Sequence, residues 1–120
     1  MDLSFTKEDL AFQKEVRDWI AANYTEELKA RNAMSKNGYL DKDGMLEWQR
    51  KLDDKGWFVA NWPEEFGGPG GDFGHDAVIT YQVNLHGCDG FGGPLHSAIV
   101  APYIQHYGSE EQKKRWLPKM

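Results

Sequence analysis

The sequence has little cysteine and no long apolar run, and both absences exclude classes of protein. Cys88 is the one cysteine among 120 residues, so an internal disulfide is excluded and the sequence is compatible with a reducing compartment. No stretch reaches the roughly 18 apolar residues that a membrane-spanning helix needs. Residues 1–4 lack the basic start and the apolar stretch of a secretory signal peptide. We therefore expect a cytoplasmic protein without a membrane span.

Positive charge is also scarce. The chain carries 14 Lys and Arg against 19 Asp and Glu, which gives a net charge of −5. Its one basic cluster, residues 113–115, follows Glu110 and Glu111 at the spacing of ion pairs on a helix surface. Because no basic stripe is present to attract a phosphate backbone, we predict that nucleic acid is not a partner.

Motifs of self-contained catalytic and metal sites are missing. The four histidines, at positions 75, 86, 96 and 106, are too far apart to act together as metal ligands on one helix. No G-x-S-x-G nucleophile motif occurs, and the glycine-rich stretch has neither the dinucleotide-binding pattern nor the P-loop pattern. Cys88 has the acidic neighbour Asp89, which opposes thiolate formation. We predict no metal site and no catalytic residue in this chain.

Apolar residues in helical periods are what the sequence does contain. Hydrophobic residues make up 40% of the chain and include five tryptophans, enough for one well-packed core. Residues 6–9 have the pattern of a helix-capping box, and Phe12, Val16 and Ile20 follow it on successive turns. These features predict a first helix that runs to about Ala30.

Four further helices are predicted from caps and breakers. They run from about Asp43 to Lys55, from Asp72 to Leu85 or His86, from Pro94 to Gly108, and from the capping box at Ser109 to Pro118. Pro102 lies inside the fourth helix and should kink or split it. The apolar positions predicted to face inward are Ala77, Val78, Tyr81 and Leu85 in the third helix, and Leu95, Ala98, Ile99 and then Tyr103 or Ile104 in the fourth.

The segment between the second and third helices is not helical in pattern. Residues 57–60 form a short apolar run that we expect to be an extended link pressed onto the core. Residues 62–71 hold Pro and Gly at a density that excludes a helix or a central strand, so an ordered loop anchored by its aromatic residues is expected. The predicted fold is an all-α domain over residues 1–120, with about five helices in an irregular bundle and one Gly/Pro-rich loop.

Four stretches of the chain together resemble the N-terminal helical domain of the acyl-CoA dehydrogenases. They span nearly all 120 residues and occur in the family's order and spacing. They are residues 5–10 (FTKEDL), residues 56–68 (GW through WPEEFGG), residues 95–102 (LHS through VAP) and residues 108–118 (GSEEQKKRWLP).

The resemblance implies a larger enzyme of fatty acid metabolism. A complete relative adds a middle β-domain and a C-terminal helical domain, holds FAD mainly through those two domains, and oxidises an acyl-CoA thioester to its 2,3-enoyl form. A glutamate in the C-terminal domain removes the α-proton, and the flavin accepts the hydride. The resemblance therefore implies that residues 1–120 are a fragment, inactive alone. It also implies a homo-oligomer when the enzyme is complete and makes electron-transfer flavoprotein a candidate partner.

The resemblance also implies where this fragment meets the substrate. The family's acyl-chain positions fall near Gly90, Pro94 and Ala98, with Phe91 and Leu95 beside them. Because the first three are small, we expect a deep pocket for a long or bulky acyl group. An alternative interpretation leaves Gly90 as a turn residue, Pro94 as a helix start and Ala98 as a packing residue.

One departure from the family pattern leaves a second function open. Relatives commonly carry a Glu-Glu pair on the third helix, where this sequence has Tyr81 and Gln82. The difference indicates either an atypical substrate or a subunit that has lost activity. The second function is a non-catalytic helical module that associates with other proteins through its aromatic surface.

Overall fold

The computed structural model describes residues 5–91, 93 and 95–120, and every regular element within them is helical. Six α-helices follow in order: α1 (Lys7–Asn23), α2 (Glu26–Ala33), α3 (Lys42–Asp54), α4 (Phe73–Leu85), α5 (Ala101–Tyr107) and α6 (Glu110–Trp116). A π-helical turn spans Leu95–Val100, and short 3-10 helices span Glu64–Phe66 and Leu117–Lys119. The predicted all-α fold is confirmed, with one more helix than expected.

Side-chain caps determine where most of these helices begin. Thr6 and Asp9 form the predicted capping box of α1, and Ser109 and Gln112 form that of α6. Asp72 begins α4, where its carboxylate accepts a 2.8 Å hydrogen bond from the backbone N–H of His75. Each cap satisfies an N–H group that the first turn of a helix leaves without a partner.

The first predicted helix is in fact two helices, so its expected end near Ala30 is wrong. The chain leaves helical geometry at Tyr24, whose ring is buried edge-on against Trp48 at a centroid distance of 4.9 Å. Thr25 then begins α2, and its hydroxyl accepts a 3.2 Å hydrogen bond from the N–H of Leu28. Two features stabilise the break: the Tyr24 ring is buried against Trp48, and the Thr25 cap gives a hydrogen-bond partner to an N–H group in the first turn of α2.

Most of the core surrounds Trp48, and we call it the Trp48 core. Trp48 is 0% exposed, and its indole N–H donates a 2.9 Å hydrogen bond to the carbonyl of Cys88. The other buried members of this cluster are Val16, Ile20, Tyr24, Leu28, Leu40, Leu52, Ala60, Ile79, Val83, Cys88 and Phe91. A smaller cluster of Val59, Trp62, Ala101 and Leu117 joins the loop to the C-terminal helices.

The segment between α3 and α4 is ordered and residues 57–60 pack onto the core, as predicted, but residues 58–60 form turns and not an extended link. Trp62 is buried and anchors the loop, while the N–H groups of Gly70 and Gly71 donate 2.9 Å hydrogen bonds back to the carbonyls of Trp62 and Ala60. Gly68 passes so close to Trp62 that a Cβ there would lie 2.3 Å from the Trp62 Cβ. The loop therefore needs glycine to close on itself.

The predicted inward face of α4 is largely wrong, although Val78 is half-buried and packs against the Trp48 core. Ile79, Gln82 and Val83 are buried, whereas Ala77 is exposed and Tyr81 and Leu85 are 57% and 62% exposed. Apolar residues occur around most of this helix, so periodicity alone does not distinguish a single face. Packing against α1 decides which side is covered.

Pro102 splits the next helical segment, as predicted. A π-helical turn precedes it and α5 begins at Ala101, with Pro102 in its first turn. Because proline has no N–H, it interrupts the hydrogen-bond ladder of the preceding turn. The expected start at Pro94 lies outside the described residues.

The predicted inward face of this segment is also largely wrong. Ala101 is buried and Ile104 is half-buried, whereas Leu95, Ala98, Ile99 and Tyr103 are exposed. The helix packs through its C-terminal half onto the smaller cluster because Ala101 and Leu117 meet there. Among the residues described, no helix has the length and apolar character needed to cross a membrane.

Candidate functional site

A cavity of about 680 Å³ lies between α4, residues 57–61 and the described residues of the stretch from 89 to 98. Its apolar wall is formed by Leu52, Trp57, Phe58, Val59, Ile79, Val83 and Phe91. This volume falls within the range of small-molecule pockets, roughly 300–1,000 Å³. The arrangement can shelter an apolar chain or ring system from water.

Part of this wall depends on the close approach of a glycine to two aromatic rings. Gly93 lies against the rings of Phe58 and Phe91, whose centroids are 6.3 Å apart. A Cβ at Gly93 would lie 2.5 Å from one ring and 2.6 Å from the other. Ser97 lies one turn further on, and its hydroxyl donates a 3.2 Å hydrogen bond to the Gly93 carbonyl. The two rings can therefore pack here only because residue 93 is glycine.

Another part of the cavity lining is polar. Asp76, Thr80 and Asn84 line it from positions i, i+4 and i+8 of α4, which lie above one another on a helix. Asn61, from the turns, donates a 3.3 Å hydrogen bond through its side-chain amide to a carboxylate oxygen of Asp76. The cavity thus combines an aromatic wall with a row of hydrogen-bonding groups.

Asp76 is the least solvated of these polar groups. Its side chain is half-buried, and burial raises the pKa of its carboxyl above the ordinary value of 3.8. No Lys, Arg or His among the described residues forms an ion pair with it, in contrast to Asp18, which pairs with Lys14 and Arg17. Asp76 is therefore a carboxylate that lacks the usual compensation for burial.

Three of the five predicted pocket residues line this cavity, namely Phe91, Leu95 and Ala98. Gly90 does not line it: Gly90 is buried behind the segment, where its carbonyl accepts a 2.7 Å hydrogen bond from Leu40. A Cβ at Gly90 would lie 2.6 Å from the side-chain oxygen of Asn32, so close packing requires glycine there. Pro94 lies outside the described residues.

Sequence reasoning missed the polar row. It assigned the inward face of α4 to Ala77, Val78, Tyr81 and Leu85, three of which follow the polar residues by one position. The spacing of Asp76, Thr80 and Asn84 was a detectable signal, since residues at every fourth position of a helix share one side. Nothing in the sequence indicated that Asn61 lies beside Asp76.

Cys88 does not take part in this site. It belongs to the Trp48 core, is 1% exposed, and burial raises the pKa of its thiol to about 12. The thiol is therefore protonated at neutral pH and cannot act as a nucleophile. Within the described residues, no group of three His, Cys, Asp or Glu side chains is placed to hold a metal ion.

Comparison with known proteins places this geometry in context. Residues 6–120 match the family described as acyl-CoA dehydrogenase, N-terminal domain. The long-chain specific mitochondrial acyl-CoA dehydrogenase of Sus scrofa is 42% identical over 73 residues, which are 61% of this chain and 17% of that protein. The acyl-CoA dehydrogenase FadE26 of Mycobacterium tuberculosis is 27% identical over 120 residues, which are 100% of this chain and 30% of that protein.

A solved structure shares the fold. The crystal structure of the ChsE4-ChsE5 complex from Mycobacterium tuberculosis superposes with a TM-score of 0.77 at 28% sequence identity, covering 98% of this chain and 28% of that chain. The relatives are therefore much longer, and this chain spans between 17% and 30% of those described above.

Proposed function

We propose, since the chain belongs to the acyl-CoA dehydrogenase family, that it is the N-terminal domain of an FAD-dependent acyl-CoA dehydrogenase whose other domains are supplied by further polypeptide. In this proposal the complete enzyme oxidises an acyl-CoA thioester to the 2,3-enoyl thioester. Residues 1–120 contribute a wall of the acyl-chain pocket, and the catalytic base lies elsewhere. A cytoplasmic location stays a prediction.

The cavity is the observation that carries this proposal. Phe91, Leu95 and Ala98, which the family resemblance assigns to the acyl chain, meet around one volume with an aromatic wall. An acyl chain has no hydrogen-bonding groups of its own, so burial of its methylene groups stabilises the complex by about 0.8 kcal/mol for each group.

The same cavity does not fit FAD. Its described lining residues include Asp76 and Asp89 but no Lys or Arg, so a pyrophosphate would meet negative charge without a compensating cation. The glycine-rich loop also folds onto its own carbonyls, which leaves the N–H groups of Gly68, Gly70 and Gly71 occupied. We therefore assign flavin binding mainly to the domains that this chain does not contain.

Extension of the reading frame beyond Met120 tests the proposal most directly. We expect a continuation into a β-rich region and then a helical one, and purification of the complete polypeptide with bound flavin. A complete polypeptide that binds no flavin and oxidises no acyl-CoA thioester would contradict the proposed enzyme.

Substitution of Ala98 tests the pocket wall within that enzyme. Because Ala98→Phe would fill volume beside Leu95, we expect kcat/KM to fall about tenfold or more for long acyl-CoA thioesters and much less for short ones. Ala22→Phe, at an exposed position of α1, is the matched control. An equal loss for long and short substrates would show that Ala98 does not limit chain length.

Exposed apolar residues favour the second candidate function, an association module. Leu95, Ile99, Tyr103 and Tyr107 follow one another at every fourth position and are all more than half exposed; we call this row the 95–107 face. Exposed apolar surface of this kind marks contact with another domain or protein.

For the complete enzyme, we propose that the remaining domains of the same polypeptide cover the 95–107 face and that the enzyme is an oligomer. A stop codon after Met120 would favour the association module.

A further inference from the structure

The polar row on α4 is more than a plain hydrocarbon chain needs. Asp76, Thr80 and Asn84 extend along about 12 Å of the cavity, given the rise of an α-helix. The rest of the lining already supplies aromatic and aliphatic surface. A ligand without polar groups would place methylene groups against these three side chains. The side chains would then lose their hydrogen bonds to water, which costs free energy.

Asp76 is where this cost is largest. Its one side-chain hydrogen-bond partner among the described residues is the amide of Asn61, at 3.3 Å, a long contact. It lies in the first turn of α4, where the positive end of the helix favours a carboxylate. A carboxylate that interacted only with the helix end could remain fully in water, yet Asp76 is half-buried beside the cavity.

The chemistry of this pair selects the group that would bind it. A hydroxyl group can donate its proton to a carboxylate oxygen of Asp76 and accept a hydrogen bond from the side-chain N–H of Asn61. A methylene group can do neither, and a second carboxylate would be repelled. A hydroxyl therefore satisfies both residues at once.

We propose that Asp76 and Asn61 form a hydroxyl-binding subsite within the acyl pocket, so that the preferred acyl group carries a hydroxyl on the part remote from the thioester. Thr80 and Asn84 continue the polar side and can hydrogen-bond water or a second substituent along the same chain. This inference rests on the proposed function, because it specifies the substrate of the same cavity.

Direct binding to the 120-residue chain is the first test. The probes are saturated fatty acids of equal length, one unsubstituted and the others with one hydroxyl at successive carbons far from the carboxyl group. We expect one hydroxylated probe to bind about tenfold more tightly than the unsubstituted probe, with changes in the NMR amide signals of residues 61 and 76. Equal affinity for all probes, or signal changes elsewhere only, would overturn the proposal.

Variants of Asp76 distinguish a carboxylate that binds the ligand from one that only stabilises the fold. Asp76→Leu should abolish the preference for the hydroxylated probe, whereas Asp76→Asn, which retains a hydrogen-bonding oxygen, should keep part of it. Asp54→Leu, at an exposed position of α3, is the matched control and should leave the preference unchanged. Thermal unfolding monitored by circular dichroism checks that each variant is folded. A preference that survives in folded Asp76→Leu would overturn the subsite.

Turnover by the complete polypeptide distinguishes this inference from the proposed function. If the corresponding acyl-CoA thioesters are oxidised, the ratio of kcat/KM for hydroxylated against plain substrate should exceed about ten and fall to near one in Asp76→Leu. Oxidation with a ratio near one in the wild-type enzyme would overturn the subsite and leave the dehydrogenase intact. Selective binding of the hydroxylated probe without oxidation of any thioester would support the subsite and contradict the dehydrogenase.

Discussion

The Trp48 core and the 95–107 face contain similar residues in opposite surroundings. In the Trp48 core, Trp48 and Tyr24 are almost completely buried and pack against neighbouring rings. On the 95–107 face, Tyr103 and Tyr107 contact each other at 6.4 Å between ring centroids but are 67% and 84% exposed. The difference shows that the chain buries the apolar surface of the first region by itself, whereas the second presents apolar surface that a further domain or partner can cover.

Truncation of one aromatic residue in each region should give the largest contrast. Trp48→Ala should lower the free energy of unfolding by about 3–5 kcal/mol, because it leaves a cavity and removes the donor to the Cys88 carbonyl. Tyr107→Ala should change it by no more than about 0.5 kcal/mol, since little of the side chain is buried. Urea unfolding of the 120-residue chain measures both values. Similar losses for the two variants would show that the 95–107 face is covered in the isolated chain.

A substitution at Gln82 tests the effect of an unpaired buried polar group on α4, the helix that supplies Ile79 and Val83 to the Trp48 core. Gln82 is buried on α4, and its side-chain oxygen has no hydrogen-bond partner among the described residues. Gln82→Met should therefore raise the free energy of unfolding by about 1 kcal/mol, because an unpaired buried acceptor is replaced by an apolar group of similar length. Gln13→Met, on the half-buried part of α1, is the control. A loss of stability in Gln82→Met alone would indicate that Gln82 binds a buried water molecule.

The pH dependence of two carboxylates should give the smallest effects, with opposite signs. Burial raises the pKa of Asp76 above 3.8. The folded state therefore binds the proton more tightly, and stability is lost as the pH rises from 3.8 through the pKa of the folded state. Hydrogen bonds from Thr6 lower the pKa of Asp9 below 3.8, so that its contribution is present above 3.8 and lost as the pH falls through the lower pKa of the folded state.

Thermal unfolding across this pH range measures the two effects. Compared with wild type, Asp76→Asn should gain relative stability as the pH rises above 3.8. Asp9→Asn should instead lose relative stability as the pH rises toward 3.8 from below, and the difference should then stay constant. Parallel curves for wild type and Asp76→Asn would show that burial does not perturb Asp76.

Local signals predicted the helix ends well, because caps and breakers act on neighbouring backbone groups. The boxes at Thr6 and Ser109, and the split at Pro102, depend on residues within one or two turns of each other. The break at Tyr24 was missed because it also depends on burial of that ring against Trp48, a residue 24 positions away in the sequence.

The candidate site was predictable only in part. The family resemblance assigned Phe91, Leu95 and Ala98 to the pocket, and the structure places all three on one cavity. The resemblance also assigned Gly90 to the pocket, but Gly90 is buried and packs against Asn32. The contact of Asn61 with Asp76 joins a turn to a helix, and no local pattern encodes it.

The sequence by itself determined the all-α class, the caps, the ordered glycine-rich loop and the family, since each of these depends on residue types at short spacing. Only the tertiary structure decided which sides of α4 and of residues 95–107 are covered. Both segments are apolar on more than one side, so their own periodicity permits more than one orientation. The orientation of each segment depends on the surfaces that α1, the loop and Leu117 present to it. The resulting packing leaves the 95–107 face exposed and places Asp76, Thr80 and Asn84 beside the cavity.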